Sequence, residues 1–170
     1  SCKPLCAVPV LVQAFQPGGI TPMKICLACS GGGHLSELLQ LEDFYKNKEH
    51  FFLTFRRPNS EELSKKEKTY FVADPKRNPI RLLVNLWQSA VVFFNEKPDV
   101  VLTTGAGVAF PIALIAKIFG KKVIYIESFC RITEPSLSGK LFYHISDIFL
   151  VQWPEMKKYF KRAEYYGGVF

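Results

Sequence analysis

The chain has 170 residues, enough for one α/β domain with a full core and too few for two of ordinary size. At 48% hydrophobic and 14% aromatic residues it is not a disordered segment. A net charge of +7 suits nucleic acid, an anionic membrane surface or a phosphorylated substrate, and composition does not choose among them.

Residues 1–22 show no strong secondary-structure period, with three prolines and a Gly18-Gly19 pair ahead of Ile20-Thr21-Pro22. Met23 reads as the natural start, and 1–22 as a leader, either non-native or an upstream extension. The apolar run 5–15 is roughly half of a bilayer span, and no other window stays uncharged for long enough, so no transmembrane helix is expected. The domain proper is 23–170.

From Met23 onward strands and helices alternate. A strand over 24–29 leads into Ser30-Gly31-Gly32-Gly33 and a helix over 34–45. The apolar run 50–55 reads as a strand buried on both faces. The charged stretch 56–68 reads as a loop with a short helix, and 69–73 as a third strand. After a turn at 74–79, with Asn78 placed to cap, a long helix is expected over 80–95. A strand over 99–103, a helix ending at Phe119 before Gly120, and a strand over 122–126 follow. Then come a helix through Ile145, a strand over 147–151 and a last helix over 154–162. Such alternation predicts an α/β fold, a Rossmann-like doubly wound parallel sheet covered on both faces.

The five cysteines, Cys2, Cys6, Cys26, Cys29 and Cys130, are an odd count that does not read as a secreted disulfide framework. Cys26 and Cys29 form C-x-x-C inside a strand. Residues an odd number apart point to opposite faces, so buried apolar packing is preferred to a redox pair or a zinc half-site. No metal site is expected.

In open parallel sheets ligands bind beyond the carboxyl ends of the strands, near the switch in strand order. Three loops fall there, 30–34, 103–107 and 127–139. In the first, Ser30, Gly31, Gly32 and Gly33 would expose backbone N–H groups at a helix start, suited to a phosphate or diphosphate; the alternative is a tight turn without ligand. The dinucleotide fingerprint is incomplete, because Ser36 stands at its third glycine and Arg56-Arg57 stand where the ribose-binding acid belongs. NAD is disfavoured, NADP is a weak alternative, and no cofactor is expected.

His34 could act as the base that a sugar transfer to an alcohol needs, or serve as a capping or supporting histidine. Glu127, at the end of a buried strand, could bind a hydroxyl, orient His34 or be the base itself; a structural ion pair with Arg131 is the alternative. Gly105, Ala106 and Gly107 in the second loop, with Ser128, Arg131, Ser136, Gly139 and Lys140 in the third, complete a candidate diphosphate grip. On the long helix Ile80, Leu83, Val84, Trp87, Val91 and Phe94 form one stripe, with Arg77 and Arg81 at its start. Core packing is the default for such a helix, and a membrane interface competes with it. The lysines are scattered and no recognition-helix, RRM or KH signature appears, so nucleic acid is not an expected partner. Neither a Gly-x-Ser-x-Gly elbow nor a Walker A sequence is present.

Taken in order, Ser30-Gly31-Gly32-Gly33-His34-Leu35 with Glu37-Leu38, the run 104–111, the run 126–131, the run 135–140 and Val151-Gln152-Trp153-Pro154-Glu155 resemble a known family. It is the family of oligosaccharide-biosynthesis proteins that form one half of split GT-B glycosyltransferases. The likeness spans 23–168. A eukaryotic member anchors the UDP-GlcNAc transferase acting on dolichol-diphosphate-GlcNAc, and bacterial relatives of the CpsF and PssD type serve capsule or exopolysaccharide assembly. A more distant likeness is to the N-terminal domain of MurG.

The resemblance implies the acceptor-side, N-terminal half of a GT-B hexosyltransferase, active only with a donor-binding partner subunit that holds the UDP-sugar. It implies a lipid-diphosphate-sugar acceptor and a peripheral place on the cytoplasmic face of a membrane. His34, with Glu127, would be catalytic. The chain stops where a second domain would begin, and it departs from the eukaryotic pattern in having no clear N-terminal membrane helix. The competing readings are a non-catalytic membrane scaffold for a partner transferase and a standalone NADP-binding oxidoreductase.

Overall fold

The computed structural model describes residues 23–76 and 78–167. The leader reading, Cys2, Cys6, Arg77 and Gly168 lie outside those residues.

Continuous apolar runs build one six-stranded sheet among the described residues: β1 Lys24–Ala28, β2 Glu49–Thr54, β3 Thr69–Phe71, β4 Val100–Thr103, β5 Lys122–Ile126 and β6 Ile148–Leu150. Every pairing is parallel, and the order is β3-β2-β1-β4-β5-β6. The chain reverses its direction of travel across the sheet between β1 and β4. Helices α1 Gly33–Leu39, α2 Glu42–Tyr45 and α3 Pro58–Leu63 cover one face, while α4 Pro79–Glu96, α5 Phe110–Ile118 and α6 Leu137–Ile145 cover the other. Phe51 and Leu53 enter one core layer and Phe52 the other, which is why β2 reads as unbroken hydrophobicity. Cys26 and Cys29 are likewise divided between the layers, so the thiols diverge. This is the doubly wound sheet expected from the sequence.

Three elements differ from expectation. The helix over 34–45 is broken, because the Gln40 and Leu41 amides bond three residues back, to Glu37 and Leu38, at 3.2 and 3.1 Å. The tightened turn brings Leu41 and Phe44 into the core together. The last helix is a single 3-10 turn, Pro154–Lys158. Beyond it, bonds from Val151 N–H to Glu164 and from Glu164 N–H to Phe149 draw the chain back along β6.

The largest departure is α4. All six stripe residues are exposed, from Val91 at 41% to Ile80 at 71%, so core packing is not their role. The face turned inward carries Asn85, Ser89, Val92, Phe93 and Glu96. Asn85 Nδ2 donates to the Ala73 and Val108 carbonyls at 2.6 and 3.3 Å, and its Oδ1 accepts from Ser89 Oγ at 3.0 Å. Gln88 accepts from Ala73 N–H at 2.7 Å. Two loop ends place unpaired backbone groups against this helix, and its polar side chains satisfy them.

At the far end of α4, Glu96 meets Lys24 at 2.7 Å, Lys68 at 2.8 Å and the Tyr70 hydroxyl. Burial would raise its carboxyl, but the bonds from Lys24, Lys68 and Tyr70 outweigh that and bring it down to about 2. A depressed carboxylate contributes fully above its ordinary value of 4.5 and loses the contribution as pH falls toward 2. Glu96→Gln is therefore expected to lower unfolding stability by about 2 kcal/mol at neutral pH. Urea midpoints should show that gap closing between those two pH values.

Candidate functional site

The loops following β1, β4 and β5 meet at the switch in strand order. Ser30 and Gly31 leave β1, Gly32 turns at φ 104°, and Gly33 opens α1. That φ lies in the region that favours glycine, and it aims the helix across the top of the sheet. The second loop turns through Gly105 at φ 107° and Ala106 at φ 82°, with Gly107 exposed beyond them. A left-handed alanine is locally strained, and its surroundings hold it there.

Direct bonds tie the loops together. Thr104 Oγ1 donates to the His34 carbonyl at 3.0 Å. Glu37 Oε1 accepts from Ser128 Oγ at 2.8 Å and Phe129 N–H at 3.1 Å, across some ninety positions of sequence. Gly105 lies against the Tyr125 hydroxyl and Ser138, so the second and third loops touch as well.

His34 sits in the middle with its side chain 33% exposed. Its Nδ1 is buried, 3.4 Å from Glu37 Oε2, and neither atom has a well-formed hydrogen bond. The exposed part of the ring therefore lies away from Nδ1. Small closure would make a charge-assisted bond that turns the second ring nitrogen outward as a proton acceptor. Burial raises the Glu37 carboxyl, but the nearby His34 and the bonds from Ser128 Oγ and Phe129 N–H outweigh it and bring it below the usual carboxylate range. Glu37 entered the sequence reading only as part of the family resemblance, with no role in the site. Its signal was there in the His-x-x-Glu spacing, which puts both side chains on one helical face. On the expectation that His34 is a base, Glu37→Gln should lower turnover about ten-fold.

Glu127 is 1% exposed. Its Oε1 accepts from Ser136 Oγ at 2.8 Å, Tyr125 Oη at 3.1 Å and Ser128 N–H at 3.1 Å, and its Oε2 from Ser136 N–H at 3.4 Å. Tyr125 is held by stacking between Phe142 and Phe149, each 4.8 Å away. Ser136 Oγ also caps α6, accepting from Gly139 N–H at 2.7 Å. Among the described residues Glu127 has no ion pair with Arg131. Its carboxylate is turned into the third loop, and the polar groups of Ser136 and Gly139 are taken up in the same network. Arg131 stands exposed on that loop and Lys140 on the surface of α6.

Comparison with known proteins gives the chain's relatives. Residues 73–169 match the family model described as oligosaccharide biosynthesis protein Alg14 like. A human protein, "UDP-N-acetylglucosamine transferase subunit ALG14", is 30% identical across 88% of this chain and 86% of its own length. The chain belongs to the Alg14-like family. The family match takes in the second and third loops, and the alignment to the human member reaches most of the chain. The Schizosaccharomyces pombe subunit is 46% identical over 87 residues, 47% of this chain and 41% of that protein.

Two solved structures share the fold. A UDP-N-acetylglucosamine 2-epimerase from Rickettsia bellii superposes with a TM-score of 0.71 at 17% identity, over 88% of this chain and 46% of that one. MurG of Acinetobacter baumannii does so at 0.66 and 17%, over 78% and 42%. The Alg14-like chain spans less than half the length of either.

Proposed function

We propose that this chain is the acceptor-side subunit of a two-component UDP-N-acetylglucosamine transferase acting on a lipid-diphosphate-linked sugar. The observation that carries the reading is the single rim made by three loops around His34, at the switch in strand order. Family relatives named as transferase subunits support it, as does the likeness of the fold to less than half of MurG. In this reading a donor-binding partner holds the UDP-sugar against the rim. His34 takes the proton from the acceptor hydroxyl as its oxygen attacks the anomeric carbon, and UDP departs with the bonding electrons. The glycine turns after β1 and β4 leave room for the acceptor's diphosphate. Glu127 holds the third loop in shape, which makes it a positioning residue.

The chain works peripherally on the cytoplasmic face of a membrane. Among the described residues no helix is long and apolar enough to cross one. The exposed Ile80, Leu83, Trp87 and Phe94 give α4 an apolar surface that could lie in the headgroup region.

The test is co-expression with a donor-binding subunit, followed by transfer from labelled UDP-N-acetylglucosamine to a polyprenyl-diphosphate-linked N-acetylglucosamine. Transfer by the pair and by neither chain alone is expected. Full-rate transfer by the partner alone would reduce this chain to a scaffold.

A further inference from the structure

Beside the rim, at the carboxyl ends of β2 and β3, lies a cavity of about 450 Å³ that the transfer chemistry above does not use. Its walls carry Arg56, Arg57, Lys76 and Arg81, with Asp74 the one carboxylate among them. That carboxylate is partly engaged, accepting from Lys76 N–H at 3.3 Å. Arg56 reaches Glu61 at 3.6 Å on the open surface. Among the described residues no ion pair links Arg57, Lys76 or Arg81 to a carboxylate. Positive charge is therefore in excess around this cavity, and a bound anion would offset it.

The cavity is preorganised. The Arg56 guanidinium lies over the Phe71 ring at 4.6 Å, and that of Arg57 over the Phe55 ring at 5.2 Å. Stacking on a ring restrains each planar fork while its N–H edge can still meet an oxyanion. The Arg57 stem also packs on Gly31, 3.1 Å from where a Cβ would stand there, so cavity and glycine loop share a wall.

Its other border is apolar. Arg81 and Gln88 line the cavity, and exposed Val84 lies between them on the helix surface, three positions after one and four before the other. From Val84 the apolar face continues through Ile80, Trp87 and Val91 toward Phe94, whose ring packs on exposed Phe119 at 5.2 Å. An anion pocket opening onto an apolar helix face fits an amphiphile with a phosphorylated head and a hydrocarbon chain.

We infer that the Arg56, Arg57, Lys76 and Arg81 cavity holds the diphosphate of a lipid diphosphate whose chain runs along α4. This deepens the transferase reading and rests on it. It extends the diphosphate's contacts from the adjoining glycine loop toward α4, whereas Arg131 and Lys140 stand on the other side of the rim.

Isothermal titration of the full chain with farnesyl diphosphate, inorganic pyrophosphate and farnesol separates head from tail. Farnesyl diphosphate is expected to bind at least ten-fold tighter than either part. Arg56→Gln and Arg81→Gln should each weaken it about ten-fold. Trp87→Ser should weaken farnesyl diphosphate and leave pyrophosphate unchanged. Circular dichroism of these surface variants should match that of the parent. If Arg131→Gln or Lys140→Gln abolishes binding while the cavity variants do not, the site is wrong and the transferase reading stands. Absence of binding also overturns it, as does equal affinity for pyrophosphate. Binding at the cavity without transfer by the assembled pair would instead sink the transferase reading alone.

Discussion

His34→Ala in the proposed two-chain enzyme is expected to lower kcat by about two to four orders of magnitude. On the proposed division of labour, with the UDP-sugar held by a partner, its KM should stay within about two-fold. The variant should fold normally. What ties His34 to the second loop is its backbone carbonyl, which alanine retains, and the side chain is partly exposed. His34→Gln separates the possible roles. An amide can hydrogen-bond the acceptor hydroxyl but cannot take its proton, so a base role predicts that glutamine fares no better than alanine. A merely capping histidine predicts near-full rates from the glutamine variant. Added imidazole should restore part of the alanine variant's rate, since the missing side chain leaves a gap open to solvent. An unchanged kcat in the alanine variant removes His34 as the base.

The strands and the three loops were legible because their signals are local. Apolar runs five or six residues long mark strands covered on both faces, and glycines mark the turns that leave them. The partners of the loops were not legible, because they are distant. Nothing near Glu37 announces Ser128, 91 positions onward. Glu127 read as a site carboxylate or as the ion partner of Arg131, and its actual partners depend on a tyrosine fixed by two phenylalanines and on the cap of a later helix. The orientation of α4 was hidden for a related reason. Periodicity assigns the apolar stripe to the core, whereas Asn85 and Ser89 turn inward because the Ala73 and Val108 carbonyls need donors. Helical spacing shows which residues share a face. Which face is buried depends on what the neighbouring chain leaves unpaired.

Gly139→Ala is expected to destabilise the domain by about 3 kcal/mol, a fall in Tm of roughly 10 °C. Propensity alone predicts the opposite sign, since alanine is favoured over glycine inside a helix by about 1 kcal/mol. The difference lies in one contact. A Cβ at Gly139 would stand 2.1 Å from Glu127 Oε2 and 3.1 Å from Ser136 Oγ. A carboxylate at a flexible tip could swing away, but this one is buried and held by Tyr125, Ser128 and Ser136. Displacing it breaks the third loop's internal network and the α6 cap together. A double-mutant cycle decides the matter. In a Glu127→Ala background the obstruction is gone, and adding Gly139→Ala should be neutral within about 1 kcal/mol. If the two losses simply add, the carboxylate is not what requires glycine there. Were Gly139→Ala stabilising on its own, Glu127 would be free to move, and its part in holding the third loop would fall with it.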